Sequence, residues 1–86
     1  MMDYTNILQT PEQVTVTDGT FTIPNGFLVA SIENAGEEGD VVLENIKGQQ
    51  TTLKPGGVFE YGFTGKAKTA IKVVATGATA QIVFEI

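Results

Sequence analysis

An 86-residue chain holds one compact core and not two, and 42% apolar with 17% charged residues is the composition of a folded domain. It has no cysteine and no histidine, so disulfides and a Cys-based zinc site are excluded, and the single serine, Ser31, has no base with which to form a catalytic triad. A net charge of −5 without one arginine argues against nucleic acid, whose phosphates are neutralised by Lys and Arg and whose bases are read largely by Arg.

The segment Met1 to Asn6 carries an acid and no Lys or Arg, and Ile7-Leu8 is too short for a signal-peptide core or a membrane span. The expectation is a protein kept in the cytoplasm or released by a route other than the usual secretory one, with no membrane partner. Residues 1–13 show no alternation and are expected to form an N-terminal arm, in which Thr10 to Gln13 is either one helical turn or a segment that docks on a neighbour. Residues 14–86 are expected to form one β-sandwich domain.

From Val14 onward, Thr, Val, Ile and Phe alternate with polar residues and are interrupted by glycine at short intervals, the pattern of short strands and tight turns. Val14–Thr17, Asp18-Gly19 and Thr20–Ile23 predict a hairpin, since Asp-Gly supplies the positive φ angles of a two-residue primed turn. Pro24-Asn25-Gly26 ends that strand. Phe27 to Glu33 is apolar on both faces in its first half and predicts a central strand. A polar loop, Ala35 to Gly39, leads into a strand over Val41 to Ile46, and Gly48-Gln49 turns the chain into Thr51 to Leu53.

Lys54-Pro55-Gly56-Gly57 predicts a type II turn, with proline at the first central position and glycine accepting the positive φ of the second. In Val58 to Phe63 the rings of Phe59, Tyr61 and Phe63 alternate with Val58, Glu60 and Gly62, which marks a core-facing side. A turn at Gly65-Lys66 precedes Ile71, Val73 and Ala75 on one face, and Gly77-Ala78 leads into Ala80, Ile82, Phe84 and Ile86. The sum is an all-β fold: a small β-sandwich or a jelly-roll or Greek-key barrel of about seven or eight short antiparallel strands.

Three constellations invite a functional reading. Glu37, Glu38 and Asp40, with Asn34, place oxygen donors in one loop; calcium favours such donors, though the spacing is not that of an EF-hand, and a solvated acidic loop is the competing reading. Tyr61, with Phe59 or Phe63, is a candidate for stacking on a sugar ring, against core packing. Val42, Ile46, Val74 and Val83 oppose the main apolar sets of their strands, and are either a second core face of a closed barrel or contacts to another subunit. Thr64-Gly65-Lys66-Ala67 lacks the earlier glycine and the hydroxyl of a phosphate-binding loop. No cofactor is expected.

Eight of the ten acids precede Lys47, the first of five lysines. That split either steers acidic surface of one subunit onto basic surface of another, or reflects acidic and basic strands pairing within one sheet. The low share of charge leaves neutral surface for contact with other copies or with a larger assembly.

From Phe27 onward, Thr52-Leu53-Lys54-Pro55-Gly56-Gly57 before an aromatic strand, and Ala70-Ile71-Lys72-Val73-Val74-Ala75-Thr76-Gly77-Ala78-Thr79-Ala80-Gln81-Ile82-Val83 near the end, resemble the small β-sandwich virion proteins of tailed bacteriophages, of the capsid-decoration and head-fibre type. The resemblance implies a symmetric oligomer bound to a capsid or tail surface, with no catalytic residues. The sequence-level expectation is therefore a non-enzymatic structural protein, a homo-oligomer such as a trimer, docked on a capsid. The alternative is a carbohydrate- or ligand-binding module built on Tyr61.

Overall fold

A computed structural model describes residues 12–27, 29–62 and 70–85, which contain eight strands. They are β1 (Glu12–Thr17), β2 (Thr20–Ile23), β3 (Val29–Asn34), β4 (Asp40–Asn45), β5 (Gln50–Leu53), β6 (Val58–Gly62), β7 (Ile71–Thr76) and β8 (Thr79–Glu85). All pairing is antiparallel, in two four-stranded sheets ordered β1-β8-β3-β6 and β2-β7-β4-β5. The sheets enclose one core of Ile, Val, Phe, Leu and Ala side chains drawn from both. Neither sheet closes on itself among the described residues, so the architecture is a sandwich and the barrel alternative falls away.

Period-two burial accounts for most of this. In β8, Ala80, Ile82 and Phe84 are buried while Gln81 and Val83 are exposed; in β7, Ile71, Val73 and Ala75 are buried and Lys72 and Thr76 are not. The expected central strand after Phe27 is β3, flanked by β8 and β6. The turn at Lys54-Pro55-Gly56-Gly57 is also as expected: Gly56 has φ +87° and the Gly57 N–H donates to the Lys54 carbonyl at 2.8 Å.

Two local expectations are corrected. Glu12 and Gln13 belong to β1, paired with Phe84 and Val83, so the strand starts ahead of residue 14 and these two residues are not helical. Met1 to Pro11, Phe63, Thr64-Gly65-Lys66-Ala67 and Ile86 lie outside the described residues. The hairpin over Val14 to Ile23 does not form: its two strands exist, but β1 pairs with β8 and β2 with β7, in opposite sheets. Asp18 takes φ +51° while Gly19 does not become positive, and a type I′ hairpin needs both. The dipeptide instead makes a corner between the sheets, and its free groups are met by the neighbouring β7–β8 corner. The Asp18 N–H donates to the Ala78 carbonyl at 3.1 Å, and the Gly77 N–H donates to Asp18 Oδ1 at 3.1 Å.

Among the described strands only β4 and β5 are consecutive and adjacent in one sheet; every other consecutive pair changes sheet. The chain therefore crosses between the sheets repeatedly at the end that holds Asp18, Gly39, Lys54 and Gly77, and those crossings bring backbone polar groups into the interior. Asn34 satisfies them. It is fully buried, its Nδ2 donates to the Leu53 carbonyl at 2.9 Å and the Gly39 carbonyl at 3.1 Å, and its Oδ1 accepts from the Gly36 N–H at 3.2 Å. Its backbone N–H and carbonyl are paired with Gly57 and Gly56, both at 2.9 Å. One side chain thus ties the β3–β4 loop to the end of β5. Gly39 completes the junction: at φ +86°, any Cβ there would run into the Gly77 carbonyl.

Asn34→Ala strands the buried Leu53 carbonyl and the part-buried Gly39 carbonyl, at a cost of about 1–3 kcal/mol for a buried group. The expected result is a fall of about 2–4 kcal/mol in urea-unfolding stability. Asn34→Asp, which keeps an acceptor but sets a carboxylate against two carbonyl oxygens, destabilises at least as much; an unchanged urea midpoint in either variant contradicts this role.

Candidate functional site

The two outer faces of the sandwich differ in chemistry. Across the sheet β2-β7-β4-β5, Thr20 lies opposite Val74, Val74 opposite Val42, and Val42 opposite Thr52, a row of β-branched residues through all four strands. The next row is Thr22, Lys72, Glu44 and Gln50, in which the one cation sits in register with an acid. Across β1-β8-β3-β6 the outward rows are Thr15, Gln81, Glu33, Val58 and Gln13, Val83, Ser31, Glu60, with Glu85 beyond them on β8. That face carries three carboxylates and no lysine among its described residues. Ionised carboxylates are costly to take out of water, so burying this face against a partner carries a desolvation penalty.

The sequence candidates for an interface therefore separate. Val42 and Val74 are brought directly opposite each other on the neutral face, each half-buried by its neighbours. Val83 lies on the acidic face and is 37% exposed. Ile46 is not on a strand face at all: β4 ends at Asn45, and Ile46 stands in the β4–β5 turn, 80% exposed. Asn45 causes that early end, because its Oδ1 accepts from the Lys47 and Gln49 N–H groups at 2.9 and 3.0 Å and closes the turn, with Gly48 at φ +82°. An Asx turn of this kind was legible in Asn45 followed three residues later by glycine. None of the four valine and isoleucine candidates forms a second core.

The aromatic residues of β6 point inward. Phe59 and Tyr61 are half-buried against the core, with Tyr61 edge-to-face on Phe27 at 5.2 Å and near-parallel to Phe59 at 6.4 Å. Tyr61 is thus no open platform on a sheet face. With Phe27, Leu43 and Ile71 these rings wall a cleft of about 300 Å³ between the edges of β5 and β6, and Gln49 and Thr51 stand on its rim. Phe27, which precedes β3, is fully buried and anchors this corner. Phe27→Ala is expected to cost about 3–5 kcal/mol in chemical denaturation; a loss within that of a surface substitution would show that the rings do not depend on it.

The acidic loop does not gather its donors. Asn34 spends its amide on the backbone, Asp40 pairs with Lys54 at 3.1 Å, and Glu37 and Glu38 are exposed. No group of three His, Cys, Asp or Glu able to hold a metal ion occurs among the described residues. The Lys54–Asp40 pair, 76% and 43% exposed, contributes less than about 1 kcal/mol. Together with Lys72 in register with Glu44, it favours the pairing of acidic and basic strands within one domain. Calcium titration is expected to leave the melting temperature unchanged; a rise abolished by Asp40→Asn would mean that the loop closes on the ion.

No protein-family model matches the chain, and no curated protein matches it. Among solved structures, the chain is similar to the solution NMR structure of a de novo designed double-stranded β-helix, with 18% identity and a TM-score of 0.54 over 88% of this chain and 96% of that one. The likeness is one of fold alone.

Proposed function

We propose that this chain is a non-enzymatic assembly protein, a jelly-roll virion component of the capsid-decoration or head-fibre type, which joins copies of itself and docks on a larger protein particle. The observation that carries the reading is the contrast between the faces. Interface cores are depleted of charge, and a row of small β-branched residues presents a flat, stiff surface that loses little rotamer freedom on contact. The row of Thr20, Val74, Val42 and Thr52 has that character, and the charges beside it are of both signs, Lys72 opposite Glu44 and Asp40 paired with Lys54, while Glu33, Glu60 and Glu85 have no lysine among the described residues of the opposite face. Strand order supports the jelly roll, since an eight-stranded double sheet whose chain alternates between layers is that architecture.

The test is co-sedimentation with phage particles from the same source as the gene. Val42→Lys with Val74→Lys is expected to keep the β-sheet circular dichroism and abolish co-sedimentation, whereas Glu33→Gln with Glu60→Gln leaves it intact. Wild-type protein that never sediments with a particle overturns the docking role. The cleft beside Tyr61 favours a second reading, a carbohydrate-binding module, which predicts hits on a glycan array that are lost in Tyr61→Ala.

A further inference from the structure

Among the described residues the two sheets have four edge strands: β1 and β6 on one, β2 and β5 on the other. An edge offers unpaired N–H and C=O groups to any passing strand, and proteins blunt it with charge, proline or brevity. Three of the four are blunted. β6 has Glu60 at its centre, β2 is four residues long and stopped by Pro24, and β5 is four residues long and followed by Lys54 and Pro55. β1 is the exception, six residues long, with no charge or proline from Gln13 to Thr17 and β-branched residues at all of those positions but Gln13. Its inward residues Val14 and Val16 pack on the core and are only half-buried, so apolar surface stays open along this rim; its outward residues Gln13, Thr15 and Thr17 are exposed.

We propose that β1 pairs antiparallel with β1 of a second copy across a dyad at Thr15, fusing two four-stranded sheets into one of eight strands. The occupant is a second copy because the strand complements itself. Residues opposite each other share a face of the sheet, so inward valines must meet inward residues. Centring on Thr15 sets Val14 opposite Val16 on both sides of the dyad, Gln13 opposite Thr17, and Thr15 opposite itself. Centring on Val14 would set Val16 against Glu12. With Thr15 on the dyad, Glu12 comes level with Asp18, where the chain has left the sheet and the carboxylate is held by the Gly77 N–H. The inference rests on the self-association in the proposed function and names its seam; an isologous seam gives even-numbered oligomers in place of the trimer expected from the sequence.

The full chain is expected to show a dimer mass by size-exclusion chromatography with multi-angle light scattering at micromolar concentration. Thr15→Lys, which sets two ammonium groups face to face, is expected to show the mass of a single chain with unchanged circular dichroism. Because the protein has no cysteine, Thr15→Cys carries one thiol, placed on the dyad. Under mild oxidation it should form a covalent dimer on the order of a hundred-fold faster than Thr22→Cys, an outward threonine of edge strand β2, through its higher effective concentration. A trimer mass, a dimer that survives Thr15→Lys, or equal oxidation rates of the two thiols overturns the seam and leaves the assembly reading standing. A single-chain mass for the wild type overturns the seam and self-association together, while particle docking is read separately through Val42 and Val74.

Discussion

A chain that changes sheet at almost every turn must carry peptide groups through the end of its own sandwich, where some of them, such as the Leu53 carbonyl, are buried. Asn34 answers that constraint with a side chain that both donates and accepts, bonded to the backbone of Gly36, Gly39 and Leu53 while its own backbone is held by Gly56 and Gly57. Apolar residues at this position would bury as well but leave those groups unpaired, which costs more than burial returns. The crossings between the two sheets at this end depend on this junction and on the close passage of Gly39 past Gly77.

Crossing topology also decides what each face shows. Because all consecutive described strands but β4 and β5 lie in different layers, residues near in sequence mostly point out of opposite sides of the molecule, and residues distant in sequence are assembled into one surface. Thr20, Val42, Thr52 and Val74 form one row although they come from four separate strands. The segregation of Glu33, Glu60 and Glu85 onto the other face arises the same way. The contrast between a face of carboxylates and a face of balanced charge is what supports the assembly role proposed above.

The strands themselves were legible, since alternation names buried residues such as Val73 and Ile82 without knowing their partners, and Pro55-Gly56 names a turn from φ preferences alone. The pairing of strands was not. Asp18-Gly19 has the composition of a hairpin turn, yet whether it folds two strands side by side or swings the second onto another layer depends on Ala78 and Gly77, almost sixty residues away. Of the candidate site, alternation places Val42 and Val74 off the apolar side of their strands, whereas Ile46 leaves that set because Asn45 closes the turn and ends the strand before it.

What the sequence by itself determined is local: that strands lie along these segments, and which side of each is buried. Those follow from backbone dihedral preferences and a two-residue period, which act over neighbouring positions. What only the tertiary structure decided is the company each strand keeps, and with it the face on which each exposed residue appears, the use of Asn34 as a buried tie rather than a loop donor, and the inward turn of Phe59 and Tyr61 beside Phe27. Such choices depend on hydrogen bonds and packing between residues far apart along the chain, and no pattern read along one strand contains its partner.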